Sequence, residues 1–71
     1  MYDYSKLSGR IVEVFGTRHS FAKAMGLSER TLSLKMNGKR DWNQLDIGKA
    51  IVLLNLSESD IPVYFFKMNV Q

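Results

Sequence analysis

Apolar positions recur at helical spacing in four stretches of this chain, and glycines interrupt them. Leu7, Ile11, Val14 and Phe15 stand at i, i+4, i+7 and i+8, which predicts one face of a helix over about 5–15. Phe21, Ala22 and Met25 make a shorter inward stripe in a second helix at about 18–25. Leu32 and Met36, four apart, mark the inner face of a third at about 29–37, with Leu27 as an apolar plug before it. Ile47, Ala50, Ile51 and Leu54 mark a fourth at about 44–54, with Val52 and Leu53 toward its other side.

The punctuation agrees with these spans. Gly16 ends the first helix. Gly26 stops the second, because glycine accepts the left-handed conformation that a helix C-terminus often needs. Gly38 closes the third. Asp3 or Ser5, then Thr17, Ser28 and Asn43, are placed as N-caps, whose side-chain oxygens accept free backbone N–H groups. Ser57, followed by Glu58 and Asp60, predicts a last short turn at about 58–62. Pro62 then belongs in the first turn of a helix or outside one. Gly48 lies inside the fourth helix at a cost of about 1 kcal/mol against alanine. Either a close helix crossing needs the missing side chain, or the chain tolerates it. Residues 63–71 read as an apolar tail. Some of its aromatics fold back on the core and others meet a second subunit, and an extended conformation suits its aromatic and β-branched residues. Trp42, the only tryptophan, is expected to close one end of the core with its N–H near solvent. The expected fold is all-α: a compact bundle of four to five helices plus a short apolar tail.

Composition narrows the possibilities. Seventy-one residues, 45% of them hydrophobic, suit one small-cored domain spanning 1–71, whose thin margin of stability favours association. With no cysteine there is no disulfide framework and no thiolate zinc site. His19 is the only histidine and the carboxylates are scattered, so neither a metal nor another cofactor is expected. No apolar run approaches the roughly 20 residues that span a bilayer, and the start lacks the n- and h-regions of a signal peptide. The expectation is a cytoplasmic protein without a membrane or small-molecule partner. Nothing pairs a nucleophile with a base, and there is no Gly-rich phosphate loop, so an enzyme is not expected.

Charge changes the picture. Residues 18–40 carry Arg18, Lys23, Arg30, Lys35, Lys39 and Arg40 against Glu29 alone, a local net of +5 in a chain whose total is +3. Counterion release at phosphates favours such concentration. A helix, a glycine-containing turn and a second helix under a cationic field is the helix-turn-helix arrangement, whose second helix enters a DNA major groove.

The segment AKAMGLSERTLSLKMNGK resembles the helix-turn-helix of the Cro/C1-type (XRE-like) repressors. The likeness rests on Ala22, Gly26, Leu32 and the terminal Asn37-Gly38. Ile47 to Ser57 resembles that family's fourth helix and the turn after it. The opening YDYSKLSGRIVEVFGT and the closing DIPVYFF are similar to small phage-encoded Cro-like regulators of Gram-positive bacteria. One departure is Lys35, where the family usually places a bulky apolar residue. Either Met36 or Leu34 takes over that packing, or the lysine stem lies along the core edge with its amine in solvent.

The resemblance places Ser28, Glu29, Arg30, Ser33 and Leu34 toward bases. Arg30 suits guanine O6 and N7, Glu29 suits cytosine N4 and Leu34 a thymine methyl. Phosphate contacts fall to Arg18, Lys39, Arg40, Asn43 and Gln44, with Ser20, Lys35 and Asn37 as weaker candidates. The expected partner is a double-stranded operator bound by a homodimer, joined through Val52, Leu53, Tyr64, Phe65 and Phe66, acting as a repressor on the host nucleoid. The alternative is a protein-binding antirepressor or antitoxin-like module on the same scaffold, which the apolar tail favours.

Overall fold

The computed structural model describes residues 2–68. Among these residues five α-helices follow one another: α1 (Ser5–Phe15), α2 (Arg18–Met25), α3 (Glu29–Met36), α4 (Gln44–Leu53) and α5 (Ile61–Phe65), with a 3-10 turn at Glu58–Asp60. The fold is all-helical, and an isolated antiparallel bridge between Tyr2 and Met68 ties the two ends together.

Local chemistry sets each boundary. Thr17, Ser28 and Asn43 accept from the backbone N–H groups of Ser20, Thr31 and Asp46 at 3.1, 3.0 and 2.8 Å, so three helices start on side-chain caps. At α1 the Asp3 carboxylate accepts from the Ser5 N–H at 2.9 Å. Three helices end in the same way. Leu27, Lys39 and Leu56 donate back to the carbonyls of Ala22, Leu34 and Ile51, and the residue before each, Gly26, Gly38 or Asn55, is left-handed. These are Schellman closures, which satisfy carbonyls that a helix end leaves free. Two long cations finish the job across helices. The Lys49 ammonium reaches the Met25 carbonyl at 3.1 Å and Arg10 Nε the Leu54 carbonyl at 2.9 Å, each a positive charge at a helix C-terminus.

The core comes from every helix. Leu7, Ile11, Phe21, Leu32, Leu54 and Phe65 are its largest fully buried side chains, each contributing about 1.5–3 kcal/mol by leaving water. Phe15 sets its ring edge against Phe21, and Phe65 does so against Trp42 at 5.1 Å between centroids. The turn that precedes α5 is held by a reciprocal Ser57–Asp60 box. The Ser57 N–H and hydroxyl hold the Asp60 carboxyl below its ordinary range.

Three expectations need correction, and one open choice is decided. Residues 63–65, assigned to the tail, belong to α5, because Pro62 sits in the first turn of a helix whose start the Ser57 box already orders; residues 69–71 lie outside the described residues. Trp42 does not keep its N–H near solvent: the ring is buried and Nε1 meets no acceptor among the described residues. Of the two readings of Gly48, tolerance fits and a close crossing does not, since among the described residues a Cβ there would meet nothing within 4 Å.

The last correction concerns Lys35. Its amine is not in solvent, and the residue is only 4% exposed. Its ammonium lies 2.6 Å from Asp46 Oδ2, donates to the Asp41 carbonyl at 2.8 Å and sits 5.7 Å from the centre of the Trp42 ring. Buried charge is tolerated only when paired and hydrogen-bonded in this way.

Three variants test this packing by thermal and urea unfolding. Lys35→Ala leaves Asp46 unpaired and is expected to cost about 3 kcal/mol, whereas the double change Lys35→Met with Asp46→Leu recovers more than half of that loss; equal losses would contradict the pairing. Gly48→Ala is expected to add about 1 kcal/mol and to raise the melting midpoint by about 4–8 °C. A fall would mean that the position is crowded.

Candidate functional site

Two surfaces stand out, one polar and one apolar. The polar one is the corner formed by α2, the Gly26–Ser28 turn and α3. Arg30 and Ser33 are exposed, as are Arg18, Lys23, Lys39 and Arg40, so five of the segment's six cations remain in solvent. Ser28 is exposed but spends its hydroxyl on the α3 cap. Glu29 faces His19 across the corner, with Nδ1 3.0 Å from Oε1 and both side chains two-thirds exposed. Arg18 reaches back to the Ser8 hydroxyl at 3.1 Å, tying α2 to α1. Arg18, Glu29, Leu32 and Ser33 line a shallow cleft there. Leu34 is half-buried. The Asn37 amide lies on Ser33, and Ser20 answers the Thr17 hydroxyl.

The structure thus gathers Ser28, Glu29, Arg30 and Ser33 on α3 and leaves Lys39 and Arg40 on the loop after it, their N–H groups both anchored on the Leu34 carbonyl. It removes Lys35 from any list of phosphate contacts, because its charge is consumed by Asp46. Asn43 is the α4 cap, and Gln44 belongs to the other surface.

That other surface is a groove of about 460 Å³ beside α4, walled by Trp42, Ile47, Gly48, Ile51, Ile61 and Phe66. Gln44 and Glu58 are its polar lining. Leu45 and Val52, 85% and 74% exposed, stand at i and i+7 with Gly48 between them, so an apolar strip runs along one face of α4. Among the residues expected at a subunit interface, Val52 and Phe66 are exposed here. Phe65 is not available: it is 1% exposed and packs against Trp42. Leu53 and Tyr64 are half-buried against the core, and the Lys6 ammonium lies over the Tyr64 ring at 5.4 Å. Burial is the main reason the nearby Tyr4 hydroxyl is shifted above its ordinary pKa.

Sequence reasoning missed Leu45, Asp46 and the groove itself. Leu45 carried a signal, since it falls outside the inward stripe of its helix. The groove had none, because it forms only when α5 meets α4. Among the described residues no group of His, Asp and Glu could hold a metal ion, and no helix is long and apolar enough to cross a membrane.

Comparison with known proteins bears on which surface matters. A family model described as "Protein of unknown function (DUF739)" matches residues 1–68. A search of the curated proteins finds no match. Among solved structures, the solution structure of the modulator of repression (MOR) of the temperate bacteriophage TP901-1 from Lactococcus lactis is similar, with 54% identity, 96% of this chain and 95% of that one covered, and a TM-score of 0.82. These findings overturn the resemblance to the Cro/C1-type repressor family. The matching family is a different one, and the similar structure is that of a protein that modulates repression.

The cationic corner can be tested by itself. Lys39→Ala with Arg40→Ala is expected to change stability by less than about 0.5 kcal/mol, as exposed sites do, and to lower the salt at which the chain leaves a heparin column. Unchanged retention would mean that the charges do not act as one patch.

Proposed function

This chain belongs to the DUF739 family, and we propose that it regulates phage repression in the host cytoplasm by binding a protein, the repressor itself. The observation that carries this reading is the 54% identity to a phage modulator of repression over nearly the full length of both chains. An identity this high over nearly the full length of both chains is more than a likeness of fold, so it supports a shared mode of action more strongly than fold alone would. The surface chemistry agrees. An apolar strip and groove on a small chain suit a protein interface.

A second reading, direct contact between the α3 face and duplex DNA, is favoured by one observation: Arg30, Lys39 and Arg40 are exposed together in the +5 segment.

Two assays separate the readings. Titration calorimetry of the purified chain against the phage repressor encoded with it is expected to show a defined complex, and adding the chain to a repressor–operator gel shift is expected to change the repressor's occupancy. Under the DNA reading the chain shifts the operator without repressor, with affinity falling steeply as salt rises, by a log–log slope of about −0.9 per phosphate contacted. Absence of any complex with the repressor, together with a salt-dependent shift by the chain alone, would overturn the first reading in favour of the second.

A further inference from the structure

We infer that the α4 groove seats an amphipathic α-helix of the protein partner, with that helix's apolar side chains against Ile47, Ile51 and Phe66 and one lysine or arginine reaching Glu58. The inference rests on the protein-binding reading above and adds where, and with what chemistry, the partner is held.

Three observations carry it. The first is Gly48. It sits in the middle of α4 with no neighbour within 4 Å of a built Cβ, so nothing among the described residues accounts for a residue that weakens its helix. It does wall the groove, where the missing side chain lets a second backbone approach closely. Gly9, the other mid-helix glycine with open space around it, does not line the groove and serves as its internal comparison.

The second is charge. Glu58 is the only ionised residue in the lining, and it forms no ion pair among the described residues. The other charges of α4 are already used: Asp46 by Lys35, and Lys49 by the Met25 carbonyl. With Asp46 paired to Lys35, residues 41–60 keep Asp41, Glu58 and Asp60 against Lys49, a net of −2, beside a basic segment left at +4. A cationic helix is complementary to this groove, and an acidic one is repelled.

The third is shape. The groove is open, and the exposed Leu45 and Val52 widen the apolar surface of α4 at its side. A small ligand needs most of its surface enclosed, whereas a helix with apolar residues at i, i+3, i+4 and i+7 meets a long apolar strip.

The test measures binding of the full chain to the phage repressor by calorimetry, and to a designed helical peptide with leucines at i, i+4 and i+7 flanked by lysines by Trp42 fluorescence. A twin peptide with glutamates in place of the lysines is the control. Gly48→Leu and Glu58→Lys are expected to weaken both interactions by about tenfold or more, Gly9→Leu to leave them unchanged, and the glutamate twin to leave Trp42 emission unmoved. Gly48→Leu has open space and a better helix former, so a melting midpoint at or above that of the parent confirms that it folds. If the repressor binds both groove variants as tightly as the parent, the groove assignment is wrong while the protein-binding function stands. If the repressor does not bind at all, that function fails and the peptide pair decides the groove. A chain that sediments as a dimer and becomes monomeric on Gly48→Leu places a second copy in the groove and overturns the inference. So does operator DNA that, added without peptide, shifts Trp42 emission in the parent and not in Gly48→Leu.

Discussion

A lysine ammonium held at the seam between α3 and α4 sets the geometry on which both surfaces depend. Lys35 meets the Asp46 carboxylate, the Asp41 carbonyl and the face of Trp42 at once. A cation this deep is stable only because all three are in place. The pairing pins the end of α3 to the first turn of α4 and thereby closes the loop between them. That loop carries Lys39 and Arg40 into solvent, and it delivers Trp42 to the core as a wall shared with the groove. The contact also sorts charge. It withdraws one cation from the basic segment and one acid from α4, so the exposed corner stays positive while the groove keeps Glu58 as its single charge.

The two surfaces lead to different partners, and the scaffold alone does not choose between them. Two helices joined by a glycine turn under a basic field are compatible with DNA, yet a fold hosts many functions. What separates the readings is likeness across the whole chain to a protein that modulates repression, together with a groove whose glycine the chain's own packing leaves unexplained. The features that first suggested a Cro/C1-type repressor, namely the alanine, the glycine, the leucine and the terminal Asn-Gly, all serve the α2–α3 corner. Gly26 and Gly38 are left-handed helix ends and Leu32 is core, so these residues report how the corner folds and do not by themselves say what it binds.

Much of the fold was legible because it is written locally. Thr17, Ser28 and Asn43 cap helices, and the stripes of Leu7 and Ile11 and of Phe21, Ala22 and Met25 are buried, since capping and periodicity act over a few residues. The errors lie where a distant partner decides. A lysine reads as surface until Asp46, eleven positions away, is brought beside it. Phe65 reads as tail until Trp42 supplies a ring to pack on. Of the candidate site, the exposure of Arg30 and Ser33 followed from their place outside the inner stripe of α3. The groove did not, because its walls come from α4, the turn and α5 together.

The proposed engagement of α4 by a protein partner is tested most directly by hydrogen–deuterium exchange of the chain alone and with the phage repressor. Added protection is expected over residues 44–53 and 58–66, with 28–37 unchanged. Protection confined to 28–37, with α4 exchanging as it does in the free chain, would contradict it.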